Sequence, residues 1–256
     1  MITDGSHTDR VVVVTGGGSG IGLGLVKAFA EAGSMVAVLD ANADSAQAAA
    51  DAVTATGHRA IALACDVAEW GAVQEAADAV QRAFGPADIL LNNAGISPKH
   101  DGHGALTLEM DPDEWNRVVA VNLTGVFHGV RAFGPAMAAR GWGSIVNQSS
   151  IAAKNYVSVI GAHYPATKAA LMGLTTHWAG EFGPRGINVN ALAPGRIDTP
   201  LAQGVAPEVN AAIVTATPLG RIGTPADVAA AALFLTSDAG HFITGQTLDV
   251  AGGWMM

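Results

Sequence analysis

The strongest chemical pattern in the sequence is a tyrosine four residues before a lysine, in the segment Tyr164-Pro165-Ala166-Thr167-Lys168. If this segment opens a helix, Tyr164 and Lys168 lie on the same face, one turn apart. A free tyrosine has a pKa of about 10, and a neighbouring ammonium group favours the phenolate and lowers that pKa. The pair therefore predicts proton transfer to and from an alcohol. The alternative is a surface tyrosine beside a solvated lysine, so the motif by itself remains a hypothesis.

A glycine-rich turn follows the first apolar run of the chain. The run Val11–Thr15 predicts a buried strand, and the next residues combine small side chains with the start of a helical segment. Such a turn lets the backbone approach a pyrophosphate, which the N–H groups at the helix N-terminus hold. The turn predicts a dinucleotide site, and the residues that we expect to contact the cofactor there are Gly16, Ser19, Gly20, Ile21 and Gly22.

An acidic residue, Asp40, ends the second predicted strand, Met35–Asp40. A carboxylate at this place accepts hydrogen bonds from the adenine ribose hydroxyls and repels the 2′-phosphate of NADP. Gly17, Gly18 and Ala41 provide no basic side chain to offset that repulsion. We therefore predict NAD as the cofactor. The alternative is that Asp40 serves only as the N-cap of the following helix.

Composition restricts the class of protein. Of 256 residues, 50% are hydrophobic and 14% are charged, and the net charge is −9. We expect neither nucleic acid nor an anionic membrane as a partner. The single Cys65 excludes an internal disulfide. The polar segment Met1–Arg10 lacks the apolar core of a signal peptide, so we expect a soluble cytoplasmic protein.

Apolar runs of strand length alternate with longer helical segments. Strands that are apolar on both faces and alternate with helices predict an α/β fold, a doubly wound parallel sheet of about seven strands with helices on both faces. We expect one domain over residues 1–256. The irregular stretch Pro194–Thr224 predicts a substrate lid. The predicted strands are Val11–Thr15, Met35–Asp40, Ala60–Asp66, Ile89–Asn92, Ile145–Ser149, Ile187–Leu192 and Thr247–Val250.

With these motifs in order, the sequence resembles the short-chain dehydrogenase/reductase family, whose members have a Rossmann fold. The resemblance covers nearly the whole chain. Its motifs are Gly16-x-x-x-Gly20-x-Gly22, Asp66-Val67, Asn92-Asn93-Ala94-Gly95, Asn122, Ser149-Ser150, Tyr164-x-x-x-Lys168 and Pro194-Gly195-Arg196-Ile197-Asp198-Thr199.

The resemblance implies four catalytic residues. Tyr164 is the acid/base, and Lys168 lowers its pKa and binds the nicotinamide ribose. Ser150 stabilises the charge that develops on the substrate oxygen, and Asn122 holds a water that links Lys168 to solvent. The structural alternatives are that Ser150 caps the end of a strand and that Asn122 satisfies backbone groups at a helix kink.

The resemblance also implies the remaining cofactor contacts. Asp66 meets the adenine amino group and Val67 packs on the ring, while Asn93 and Gly95 approach the adenosine ribose. The segment Pro194-Gly195 lies beside the cofactor. Its neighbours Ile197 and Thr199 fix the nicotinamide carboxamide, although Thr199 as a simple cap is the alternative.

The loop between the serine pair and Tyr164 is one residue longer than the commonest family spacing. It is therefore open whether Ser149 or Ser150 faces the substrate, and we choose Ser150, the second of the pair.

Substrate contacts are expected from the loop after Ser150, the segment after Asn93 and the lid. Lys99, His100 and Arg196 together would attract an anionic or polyhydroxylated substrate, although solvated loop charges are the alternative. His100 and His103 lie in a glycine loop without further ligand spacing, and we predict no metal. The substrate candidates are Ser150, Ala152, Asn155, Tyr156, His163, Lys99, His100 and Arg196.

These motifs predict an NAD-dependent oxidoreductase that interconverts a secondary alcohol (a polyol, sugar or hydroxy compound) and its ketone. One alternative is an NADPH-dependent 3-oxoacyl-thioester reductase. Another is a non-catalytic protein that senses the cofactor. The apolar end Thr247–Met256 and the resemblance favour a homotetramer, with Gly252–Met256 against a neighbouring subunit.

Overall fold

A computed structural model of the chain describes residues 5–202 and 207–255. Its core is one parallel sheet in the order β3-β2-β1-β4-β5-β6-β7. The predicted doubly wound α/β fold with seven strands is confirmed. The strands are β1 Val11–Thr15, β2 Met35–Asp40, β3 Arg59–Ala64, β4 Ile89–Asn92, β5 Gly143–Gln148, β6 Ile187–Pro194 and β7 Thr247–Val250.

The first strand explains the layering. Val11 and Val13 pack into the apolar cluster on one side of the sheet, and Val12 and Val14 into the cluster on the other. Successive side chains of a strand point to opposite faces, so a run of valines requires helices on both sides. The helices are α1 Gly20–Glu31, α2 Ala43–Thr54, α3 Trp70–Phe84, α4 Pro112–Val119, α5 Gly125–Arg140, α6 His163–Phe182, α7 Pro207–Ala216 and α8 Pro225–Thr236.

Helices α1, α2 and α8 cover one face of the sheet, and α3, α5 and α6 cover the other. Fully buried Leu25 and Phe29 anchor α1, whereas Leu171 anchors α6. Burying one such side chain stabilises the fold by roughly 1.5–3 kcal/mol, so these anchors fix the helices that carry the functional residues.

The predicted helix Asp113–Arg140 is interrupted by a π-helical turn, Ala120–Thr124, between α4 and α5. Such turns insert an extra residue into the helical ladder and are frequent at functional sites. Asn122 lies in this turn and is fully buried. The π-helical turn thus contains the residue that the resemblance assigns to the catalytic set.

The lid segment differs from the sequence-based expectation of an irregular stretch. It contains α7, which begins with Pro207 and has Glu208 in its first turn. Proline at the first helical position and an acidic residue in the first turn both favour a helix. Residues 203–206 of the predicted lid lie outside the described residues.

The order of the strands reverses at β1, in the middle of the sheet, and this reversal creates a crevice. Strand β1 lies between β2 and β4, so the connections after β1 and β4 diverge at the carboxyl edge, which is where such folds bind ligands. Within residues 5–202 and 207–255, no helix has the length and apolar character that crossing a bilayer requires.

Candidate active site

A single cleft runs along the carboxyl edge of the sheet and collects most of the predicted site residues. It is lined from the ends of β1 to β6, from the lid and from the C-terminal segment. The predicted residues in its wall are Gly16, Ser19, Gly20, Ile21, Gly22, Asp40, Asp66, Val67, Asn93, Gly95, Lys99, Ser150, Ala152, Tyr164, Lys168, Pro194, Gly195, Arg196, Ile197 and Thr199.

The glycine turn requires glycine for conformation and for space. Gly16 and Gly20 have φ of +62° and +53°, in the left-handed region that side chains rarely adopt. A Cβ on Gly22 would lie 1.9 Å from the carbonyl oxygen of Gly16. The amide of Asn93 donates to the carbonyls of Thr15 and Gly16 at 2.9 and 3.0 Å, so Asn93 braces the turn.

Backbone donors fix the Asp40 carboxylate at the end of β2. One oxygen accepts from Gly18 N at 2.9 Å and the other from Asn42 N at 3.0 Å. The N-cap of α2 is Asn42, whose side chain accepts from Ser45 N. The alternative interpretation of Asp40 as the helix cap is therefore wrong, and its carboxylate lines the cleft.

Asp66 forms an ion pair that the sequence analysis did not find. Its carboxylate accepts from Arg117 at 2.8 Å and from Ala68 N at 3.0 Å. Burial raises the pKa of Asp66, but the hydrogen bonds outweigh burial and hold the pKa below its usual value. The neighbouring Cys65 is buried, and burial followed by the Asp66 charge raises its thiol pKa to about 11.

Tyr164 and Ser150 meet in the cleft. Both residues line its wall, and the Ser150 side chain lies close enough to act on the phenol of Tyr164. Burial raises the phenol pKa above 10, whereas the side chain of Ser150 lowers it in part. A group that stabilises the phenolate lowers the pKa of the phenol, and Ser150 has this effect on Tyr164.

Lys168 lies one turn along α6 from Tyr164, as predicted, with its Nζ 5.7 Å from the centre of the Tyr164 ring. The ammonium donates to the carbonyl of Gln148 at 2.6 Å. Burial lowers the Lys168 pKa to about 8. The expectation that Lys168 lowers the Tyr164 pKa needs correction, because burial dominates both groups in the structure.

The two serines have different partners. Ser149 is buried and donates to the carbonyl of Lys168 at 2.8 Å. Ser150 meets the Tyr164 phenol and also accepts from Ala152 N at 3.2 Å, capping a short 3₁₀ turn. Ser149 thus braces the helix, while the side chain of Ser150 lies beside the predicted acid/base.

Asn122 connects the π-helical turn to the loop after β4. Its side chain accepts from Ile96 N at 2.8 Å and donates to Ile96 O at 2.9 Å. A Cβ on Gly95 would lie 3.3 Å from Lys168 Nζ and 3.5 Å from Asn122 Oδ1. Asn122, Gly95 and Lys168 are therefore neighbours.

The segment after β6 lies beside the glycine turn that follows β1. Gly195 N donates to Val250 O at 3.0 Å, and Ile197 is buried. A Cβ on Gly20 would meet Thr199 at 3.3 Å. Thr199 thus packs against the glycine turn across the cleft.

Four of the substrate candidates lie away from the cleft wall. Tyr156 is 86% exposed, and Asn155 donates to Ile151 O at 3.1 Å. His100 and buried His163 each pair with Glu114, at 2.6 and 2.9 Å. The residues of the loop after Ser150 that line the cleft are Ile151, Ala152, Val157, Val159 and Ile160.

Several lining residues were missed by sequence reasoning. Ser97 and Gln148 are buried, and the described residues offer no hydrogen-bond partner for the Ser97 hydroxyl or the Gln148 amide nitrogen. Trp254, expected in the core or at a subunit interface, lines the cleft. Met256 lies outside the described residues. None of these positions belongs to a motif, so no local spacing would have found them.

The cleft fits a nicotinamide dinucleotide. A Cβ on Gly16 would come within 2.9 Å of Ala94 Cα, so glycine lets the turn after β1 pack against the loop after β4, and this turn opens α1, whose N-terminal N–H groups suit a pyrophosphate. Asp40 stands at one end of the cleft, and Tyr164 and Lys168 stand in the same cleft. A glycine turn, a carboxylate and a phenol in one cleft are the groups that the resemblance assigns to the diphosphate, the ribose and the proton transfer.

The family model described as "Enoyl-(Acyl carrier protein) reductase" matches residues 16–255. The chain belongs to the short-chain dehydrogenase/reductase family, whose oxidoreductases use nicotinamide cofactors and act on small molecules. A solved structure, a 3-oxoacyl-[acyl-carrier protein] reductase with bound NAD from Brucella melitensis, is 47% identical. Its TM-score is 0.93, over 98% of this chain and 93% of that one.

Two curated relatives have other names. Galactitol 2-dehydrogenase (L-tagatose-forming) of Cereibacter sphaeroides is 41% identical, over 94% of this chain and 93% of its own. Cis-4-hydroxycyclohexanecarboxylate dehydrogenase of Sinomonas cyclohexanicum is 39% identical, over 97% and 98%. Relatives of similar identity thus differ in substrate, and the family alone leaves the substrate undetermined.

Proposed function

We propose that the protein is an NAD-dependent oxidoreductase that interconverts a secondary alcohol and its ketone. The observation that carries the proposal is the contact between the Tyr164 phenol and Ser150, with Lys168 one turn away, in the same cleft as the glycine turn. The two relatives named as dehydrogenases of galactitol and of a hydroxycyclohexanecarboxylate support an alcohol substrate.

The proton chemistry belongs to the chain itself. As the phenolate, Tyr164 takes the hydroxyl proton of the alcohol, and as the phenol it returns the proton in the reverse direction. Ser150 donates a hydrogen bond to the substrate oxygen as negative charge develops there. With a pKa of about 8, Lys168 is mostly protonated at neutral pH. When bound, the nicotinamide accepts or donates the hydride.

Each remaining site residue has a position that suits its implied role. Asn122 holds the loop of Gly95 against Lys168, in keeping with a role in the proton path. Asp66 and Val67 would hold the adenine, with Arg117 positioning the Asp66 carboxylate. Ile197 and Thr199, across the glycine turn, would hold the carboxamide.

NAD, rather than NADP, is proposed from Asp40. Its carboxylate is fixed by Gly18 N and Asn42 N, and a 2′-phosphate at the adenosine ribose would be repelled by it. The related structure with bound NAD supports the assignment.

A 3-oxoacyl-thioester reductase is the second candidate, because the solved relative at 47% identity bears that name. This function requires turnover of a thioester, and an NADPH-dependent enzyme would have to accommodate the extra phosphate beside Asp40. A cofactor-sensing binding protein is the third candidate.

A kinetic panel distinguishes the three. Secondary alcohols, ketones and acetoacetyl-coenzyme A are assayed with each of the two cofactors in the matching oxidation state, by absorbance of the reduced nicotinamide. We expect alcohol oxidation with NAD⁺. Preferential reduction of the thioester with NADPH would establish the second candidate, and binding of cofactor without any turnover would establish the third.

We also propose a single cytoplasmic domain over residues 1–256, a lid at residues 194–224 and a homotetramer. A shallow apolar groove between α5 and α6, lined in part by Phe127, Trp178 and Phe182, supports a helix-mediated subunit contact. Size-exclusion chromatography with light scattering tests the assembly. A monomeric mass at micromolar concentration would refute it.

A further inference from the structure

We infer that the substrate is a hydroxy acid, or the matching keto acid, whose carboxylate is bound by Lys99 and Arg196. The inference rests on the proposed function and names the substrate class of the same site. Both side chains are half-buried and line the cleft that contains Ser150 and Tyr164.

The two cations have no anionic partner. In the part of the chain that the structure describes, neither Lys99 nor Arg196 forms an ion pair. Arg196 donates only to neutral acceptors, Asn210 Oδ1 at 3.0 Å and Ala202 O. These bonds hold the guanidinium between the end of β6 and the lid.

The two charges also repel one another. Burial lowers the pKa of Lys99, and the charge of Arg196 lowers it further. The negative charge of Asp198 raises the pKa of Arg196, but Asp198 is exposed to solvent. Two like charges facing one partly buried space are unfavourable until an anion enters it. The nearby hydroxyl of Ser97, buried without a partner, adds a free donor.

The sheet order separates this pair from the pyrophosphate site. Lys99 follows β4 and Arg196 follows β6, so the two flank β5, which carries Ser150 at its end. The glycine turn follows β1, on the far side of β4. The cationic pair therefore belongs to the catalytic end of the cleft.

Much of the remaining lining of the cleft is apolar, from Val157, Val159, Ile160, Ile213 and the ring of Trp254. The four aliphatic side chains provide no partners for a row of hydroxyl groups, and buried hydroxyls without partners are unfavourable. A ring or short alkyl body with one carboxylate matches this lining better than a polyol does.

Binding is tested first without chemistry. Cyclohexanecarboxylate and cyclohexanecarboxamide are titrated into the protein saturated with NAD⁺, by isothermal titration calorimetry. Because hydrogen bonds to charged groups contribute about 1.5–3 kcal/mol, we expect the carboxylate to bind roughly 10- to 100-fold more tightly. Lys99→Met should remove most of this difference. Lys27→Met, which removes an exposed lysine of α1, is the matched control.

Turnover is tested with 4-hydroxycyclohexanecarboxylate, 3-hydroxybutyrate and their methyl esters. We expect kcat/KM to favour the acids, with the loss in Lys99→Met confined to the acids and expressed mainly in KM. NAD⁺ affinity should be unchanged.

Three outcomes overturn the inference: equal binding of carboxylate and amide, an equal effect of Lys99→Met on acid and ester, or weaker NAD⁺ binding in that variant. Lys99-dependent carboxylate binding without turnover of any alcohol would refute the proposed reaction and retain the anion site.

Discussion

The two ends of the cleft differ in how their polar groups are satisfied. At the adenosine end, two backbone donors hold Asp40, and Arg117 pairs with Asp66. At the catalytic end, the Ser97 hydroxyl, the Gln148 amide nitrogen and the Lys99 ammonium have no partner among the described residues. Fully paired groups preorganise one fixed ligand, and unpaired groups indicate where a variable ligand completes the site.

At the adenosine end, backbone amides and one ion pair fix the acidic side chains. At the catalytic end, polar side chains from the loops remain available to a ligand. Variants should therefore separate the two ends, with changes at one end leaving binding at the other intact.

Ser150→Ala should have the largest effect. It removes the side chain that lowers the pKa of the Tyr164 phenol and that donates to the substrate oxygen, so we expect kcat to fall roughly 10²- to 10³-fold. NAD⁺ affinity, measured by calorimetry, should stay the same. Ser149→Ala is the matched control, because Ser149 donates only to the Lys168 carbonyl. Equal losses in the two variants would contradict the distinction between the serines.

Lys168 should make stability depend on pH. Its pKa is about 8 in the fold, against 10.5 for a lysine in the unfolded chain. The cost of burying the ammonium is fully present below pH 8 and is relieved as pH rises from 8 to 10.5. The free energy of unfolding of the wild type, relative to Lys168→Met, should rise by up to a few kcal/mol in that window.

Urea unfolding of the cofactor-free protein at fixed concentration measures this difference. A constant difference between the two proteins from pH 7 to 10.5 would contradict the lowered pKa.

Asp40→Ala combined with Ala41→Arg should act on the adenosine end alone. Loss of the carboxylate and gain of a cation should shift the ratio of kcat/KM for NADP⁺ over NAD⁺ upward by roughly 10- to 100-fold. The preference among substrates should be unchanged. A wild type that already prefers NADP⁺ would invalidate the assignment of Asp40.

Gly22→Ala tests the backbone construction of the turn. The new Cβ would overlap the carbonyl of Gly16, at 1.9 Å, so we expect a loss of roughly 1–3 kcal/mol of stability and weaker NAD⁺ binding. Gly71→Ala in α3 is the control, because its Cβ meets no atom within 4 Å. Thermal unfolding with and without NAD⁺ measures both effects, and equal behaviour of the two variants would rule out the steric account.

The sequence predicted what depends on local pattern. Valine runs indicated the buried strands, and the turn from Gly16 to Gly22 indicated the crevice, because these features need particular residues in a short segment. The spacing of Tyr164 and Lys168 likewise placed both residues on one face of α6.

The remainder depends on contacts between distant segments. Arg117 reaches Asp66 across 51 positions of the chain, and Trp254 lines the cleft from the far end of the chain. Tyr156 was expected in the pocket from its place after Ser150, but its side chain is exposed to solvent. Burial sets the pKa of Lys168, and burial depends on the complete fold.

Cys65 gives the protein a built-in reporter. It is the single cysteine of the sequence, it lies buried where β3 meets the adenosine end, and its thiol pKa is about 11. Thiol reagents attack the thiolate, so modification at neutral pH should await a transient opening of this edge of the sheet. The rate at which a chromogenic disulfide labels Cys65 would then report the rate of that opening without any introduced probe. A ligand that closes this edge of the sheet would lower the labelling rate.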